Sequence, residues 1–178
     1  MSISQILLLI VNIFGGAAVI GSYIQGFIAH PGSADVLWGN ITGPVRSVYF
    51  VSMILSAVGY FAFIYFILFC LIPSEVKIAG IFAYDLFFVI LTGILLFSSL
   101  WMPFSYSYVG TPNTGTWIAI RVVLFLVGLS SCALVWALLS LETKLPTIPY
   151  WLAIVGSGYF AFHTTILDAF LWPALYKQ

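Results

Sequence analysis

The stretch Ile148-Pro-Tyr-Trp-Leu-Ala-Ile-Val-Gly-Ser-Gly-Tyr-Phe-Ala-Phe-His-Thr-Thr-Ile-Leu-Asp-Ala-Phe-Leu-Trp172 decides how the chain is read. A bilayer core of about 30 Å takes about 20 helical residues, and this run is long and apolar enough to cross it. Yet it carries His163 and Asp168. An aspartate at the bilayer centre costs roughly 3 kcal/mol on insertion scales, so it normally faces a partner, a cavity or water rather than acyl chains. The other spans are therefore read for what answers these two residues.

Of the 178 residues 63% are hydrophobic and only 6% charged, a composition that no soluble domain of this length needs. Counting apolar runs predicts an all-α integral membrane protein, a single domain over residues 1–178. Five transmembrane helices are expected at about 6–29, 47–72, 76–101, 117–141 and 148–172. The first run exceeds a signal-peptide core and no basic side chain precedes it, so it is read as a retained helix. A net charge of zero gives no footing for a nucleic-acid partner. Cys70 and Cys132 lie in apolar runs with no CxxC or Cys/His cluster, and are read as small buried hydrophobes. No G-x-S-x-G elbow, metal-spaced histidine pair or phosphate-cradling loop occurs, so no catalytic or metal-ligating residue is assigned.

Two connections look long and share one face, 30–46 with its Trp38 and 104–116. The turns near Glu75 and over 142–149 look short and share the other. That asymmetry predicts a mouth on the long-loop side. Lys77 and Lys144 on one side balance Arg46 and Lys177 on the other, so the positive-inside count is tied. Trp101, Trp117, Trp151 and Trp172 fall at expected helix ends, as in an aromatic belt. In helix one Gly15, Gly16, Gly21 and Gly26, and in helix two Ser52, Ser56 and Gly59, offer smooth faces for neighbours.

Helical rise converts position into depth. Arg121 and Asp168 stand level, each about 6 Å from the long-loop interface, and are expected to pair, either locking two helices or lining a pocket. Asp85, about nine residues from the opposite face, is either hydrogen-bonded and neutral or a proton carrier. His163 is five residues from Asp168, about 500° of α-helical rotation, which puts it on a different face. It is read as hydrogen-bonded to a neighbouring helix, with tetrapyrrole ligation the sharper alternative. Lys77, Lys144 and Lys177 all lie at helix ends, which argues against a covalent retinal.

Several strings occur in a familiar order: Gly43-Pro44-Val45, Ser56-Ala57-x-Gly59-Tyr60, Trp101-Met102-Pro103-Phe104, and Pro149-Tyr150 with Ala161 to Asp168. With five short-linked spans and a tryptophan in the first loop, they resemble the TspO/MBR family, the tryptophan-rich sensory or translocator proteins. The resemblance implies a five-helix bundle that often dimerises, with a pocket under the first loop for porphyrins, sterols or similar flat ligands. It carries pocket roles onto Trp38, Tyr60, Trp101 and Asp168; depth adds Arg121 and His163. The expected function is binding or transport of a flat hydrophobic molecule, a tetrapyrrole, sterol or lipid-like compound. The alternatives are a proton-coupled transporter using Asp85, His163 and Asp168, a lipid-acting enzyme, or a subunit of a larger membrane complex.

Overall fold

The computed structural model describes residues 1–142 and 147–176. Five helices long and apolar enough to cross a membrane make it a multi-pass, all-α bundle. They are α1 (Ile3–Ala29), α2 (Gly43–Tyr65), α3 (Leu86–Gly110), α4 (Thr114–Leu139) and α5 (Ile148–Phe162). A π-helical segment, Phe66–Cys70, prolongs α2, and a longer one, His163–Leu171, prolongs α5 and leads into a last turn at Trp172–Leu175. Residues 30–42 and 111–113 form what we call the distal face. The N-terminus, residues 71–85 and residues 140–142 form the proximal face.

Helix α1 starts at a capping box in which Ser2 and Gln5 satisfy each other's backbone N–H groups. It packs along α3, α3 along α4, α4 along α5, and α5 along α2. Close approach depends on missing side chains. A Cβ on Gly59 would lie 2.6 Å from the Gly156 carbonyl oxygen, and one on Gly156 would lie 2.8 Å from that of Gly59. Only glycine at both positions lets the α2 and α5 backbones meet. Ser52, Ser56 and Gly59 accordingly form the buried stripe of α2.

The ring closes between α1 and α2 at its proximal end. There Gln5 Nε2 donates to the carbonyls of Leu68 (2.7 Å) and Leu71 (3.1 Å), and Tyr60 donates to Asn12 Oδ1 (2.6 Å). These bonds also answer carbonyls that the π segment leaves without helical partners. Around them lies a dense apolar core including Leu8, Phe63, Ile67, Phe87, Leu91, Leu134 and Leu138. Further toward the distal face no comparable packing joins α1 to α2.

The third helix departs most from its expected 76–101. Val76 to Asp85 are apolar enough to read as membrane span, but they fold into a tight turn over the core. Ile78 bridges Phe82 and Leu141, and Ala79 and Gly80 take positive φ of 51° and 75°. Asp85 is therefore exposed at the N-cap of α3, outside the span, and not one-third of the way into it. At its other end α3 runs through Pro103 to Gly110. Proline forfeits one i→i−4 bond, a loss that helices in a membrane tolerate when neighbours support them. The expected 104–116 loop shrinks to 111–113, and Trp101 lies within the helix. The long connections are thus 30–42 and 71–85, one on each face, so the predicted loop asymmetry is absent. Cys132 is exposed rather than buried. Lys144 and Lys177, half of the charge tally, lie outside the described residues.

Candidate functional site

The polar groups converge where α5 changes its winding. In a π-helix the N–H of residue i+5 meets the carbonyl of residue i, so residues five apart stack, unlike in an α-helix. That geometry corrects the expected separation of His163 from Asp168: imidazole Nε2 lies 3.5 Å from Asp168 Oδ2. Nδ1 lies 2.9 Å from Ser52 Oγ on α2, and Tyr159 donates to that same oxygen at 3.2 Å. Ser52 Oγ accepts from Tyr159, and the direction of its bond with Nδ1 follows the imidazole tautomer. A chain of polar contacts, Tyr159–Ser52–His163–Asp168, joins α5 to α2, its last step an ion-pair distance of 3.5 Å. Tyr49 fastens the same pair of elements by donating to the Leu167 carbonyl at 2.8 Å.

The expected Arg121–Asp168 pair does not form. Arg121 is exposed on α4, and among the described residues it has no ion-pair partner. Equal depth fixes height but not azimuth. The buried stripe of α4 runs through Ile120, Leu124, Val127 and Ser131, and Arg121 is rotated about 100° from Ile120. Its long stem suits it to reach the headgroup level instead. The other arginine, Arg46, is held by Asp35 (2.7 Å) and lies 5.0 Å from the Trp38 ring centroid, which anchors the 30–42 loop to the start of α2.

Asp168 sits on the π segment of α5 beside His163, and its side chain is 31% accessible. Aromatic rings gather at the same end of the bundle. Tyr23 packs on Trp101 (5.7 Å), Trp101 on Trp172 (6.0 Å), and Trp172 on Tyr176 and Trp117. The 30–42 loop packs over them: Leu37 is buried, its carbonyl accepts from Trp172 Nε1 at 3.0 Å, and Trp38 stands edge-on to Tyr49. Outside the span, burial and the neighbouring Tyr108 push the Tyr176 phenol above its usual pKa.

Two buried polar groups at this end lack partners, Trp101 Nε1 and, one turn on, Ser105 Oγ. Ser56 Oγ, one turn from Ser52, lacks one too.

Of the six ligand-site residues expected from sequence, Trp38, Trp101, His163 and Asp168 lie in the distal half of the bundle. Arg121 does not, and Tyr60 lies in the proximal half, packed against Phe63 and Phe160 and bonded to Asn12. Tyr23, Tyr49, Ser52, Tyr159 and Trp172 join the site without having been singled out for it. Tyr23 had a signal, as the sole tyrosine in an aliphatic helix; Ser52 had none beyond its small size. At the proximal face an open depression of about 730 Å³ is lined by Ser2, Gln5, Leu71, Tyr84 and Asp85 among others. Ser4 and Ser74 add to the polar part of its lining. Among the described residues no group of His, Cys, Asp and Glu side chains is arranged to hold a metal ion.

No protein-family model, curated protein or solved structure matches the chain. The class that the fold defines is thus a five-span helical membrane protein, with a cluster of aromatic and polar side chains in its distal half.

Proposed function

We propose that the protein binds a flat hydrophobic small molecule in a chamber among the distal aromatic rings and exchanges it with the bilayer through the gap between α1 and α2. The observation that carries this reading is Asp168, a third accessible on an apolar span, at the end of the bundle where Tyr23, Trp101 and Trp172 pack together. Ligand pockets combine mostly apolar walls with a few converging polar groups, and this chamber has that composition. Flat ligands suit it because its walls are rings. The resemblance to the tryptophan-rich sensory proteins leads to the same reading. Titrating the purified protein with protoporphyrin, a sterol, a neutral planar arene and a planar amine, with tryptophan quenching as readout, tests it. Saturable quenching by at least one is expected, and none from all four overturns the proposal.

The Tyr159–Ser52–His163–Asp168 chain favours a second reading, in which proton movement through His163 and Asp168 drives transport. Asp85 plays no part in this version, being exposed at the proximal face. Uptake into proteoliposomes that depends on a pH gradient, and is lost in His163→Gln, is its expected signature.

A further inference from the structure

Resting on the ligand-binding reading above, we infer that the chamber is selective for a hydrophobic amine, whose protonated nitrogen docks on Asp168 while its flat body lies against Tyr23, Trp101 and Trp172. Asp168 has no lysine or arginine partner among the described residues; its ion-pair neighbour is His163, whose Nδ1 is already taken up by Ser52. A carboxylate offers about four acceptor sites when ionised, and an imidazole 3.5 Å away fills at most one of them. Asp168 is therefore a hydrogen-bond acceptor with spare capacity, and a protonated amine beside it favours its charged form.

The walls point the same way. Rings of Tyr23, Tyr49, Trp101 and Trp172 crowd this end, and aromatic faces attract cations. Competing classes fare worse. A carboxylated ligand would bring a second negative charge into a low-dielectric space beside the first. A neutral arene would displace water from Asp168 without replacing its hydrogen bonds. Amphiphilic amines concentrate at the headgroup level of a bilayer, near the depth at which α1 and α2 part.

The test compares three flat probes of similar size, 9-aminoacridine (cationic), anthracene (neutral) and acridine-9-carboxylate (anionic). Binding to the full chain in phosphatidylcholine nanodiscs is measured by equilibrium dialysis, with empty discs subtracted. The cation is expected to bind about tenfold or more tighter than either other probe, as a charge-assisted bond at a desolvated site gives. Asp168→Asn is expected to abolish that preference while sparing anthracene. Equal binding of all three, or a preference that survives Asp168→Asn, overturns the amine assignment and leaves the pocket standing. Binding of none overturns both. Should Asp168→Asn not fold, the ranking of the three probes by the unmodified protein decides.

Discussion

The two ends of the α2–α5 pair share a backbone plan and differ in chemistry. Seven residues beyond the Gly59–Gly156 contact each helix changes to π winding, α2 at Phe66 and α5 at His163. At the proximal end Phe66 packs edge-on against Tyr150 at 5.7 Å, within the dense core. At the distal end the corresponding residue is His163, bonded to Ser52 and facing Asp168. The proximal end satisfies its loosened carbonyls with Gln5; the distal end keeps unpartnered groups on Trp101 and Ser105. The same change of winding thus closes an apolar core at one end and gathers polar side chains at the other.

The comparison breaks most completely at its pivot. Gly156→Val places carbon atoms against the Gly59 carbonyl, which as backbone cannot swing aside, and about 3 kcal/mol of stability or more is expected to be lost. Thermal unfolding in detergent measures it. A smaller loss, about 2 kcal/mol, is expected for Gln5→Ala, which strands the Leu68 and Leu71 carbonyls. Because Gln5 acts only at the proximal end, affinity at the distal chamber should survive in whatever fraction remains folded.

Double-mutant cycles sharpen the contrast at the distal end. His163→Gln with Asp168→Asn should show a coupling of about 1 kcal/mol, as expected for groups in contact. Arg121→Leu with Asp168→Asn should be additive within about 0.5 kcal/mol, since the two do not meet. Coupling of similar size in the second cycle would mean that Arg121 turns inward in the bilayer. The smallest effect is expected for Trp101→Phe. Its indole donor is unpartnered, so stability should change by no more than about 0.5 kcal/mol, while ligand affinity falls. An equal loss in both would make Trp101 a packing residue only.

Span number and helical class were legible because apolar runs of this length have few other uses. The boundaries of α3 were not. Ile78, Ile81 and Phe82 are as apolar as any span, and only the chain reversal at Ala79–Gly80 separates them from the helix that follows. Pro103 misled in the opposite direction, because a proline signals an end and here a membrane helix absorbs it. At the site, His163 and Asp168 stood out as costly residues in an apolar run. Their mutual contact stayed hidden because depth arithmetic assumed α-winding, and no residue type in His-Thr-Thr-Ile-Leu-Asp announces a π-helix. Arg121 failed for the complementary reason: height along a helix was known, its rotation was not.

The fastening of α1 has a consequence for the order of synthesis. Gln5 cannot find its acceptors until Leu68 and Leu71 have been made, and α1's long contact, along α3, awaits residues 86 to 110. Throughout that interval α1 must stand alone in the lipid. Its sequence suits the wait: no charged residue between Ile3 and Ala29, and a surface left mostly to lipid even in the finished bundle. A helix able to live without protein neighbours can also leave one of them. The side of α1 facing α2 is therefore where the finished protein can open without exposing anything that was not exposed during its assembly.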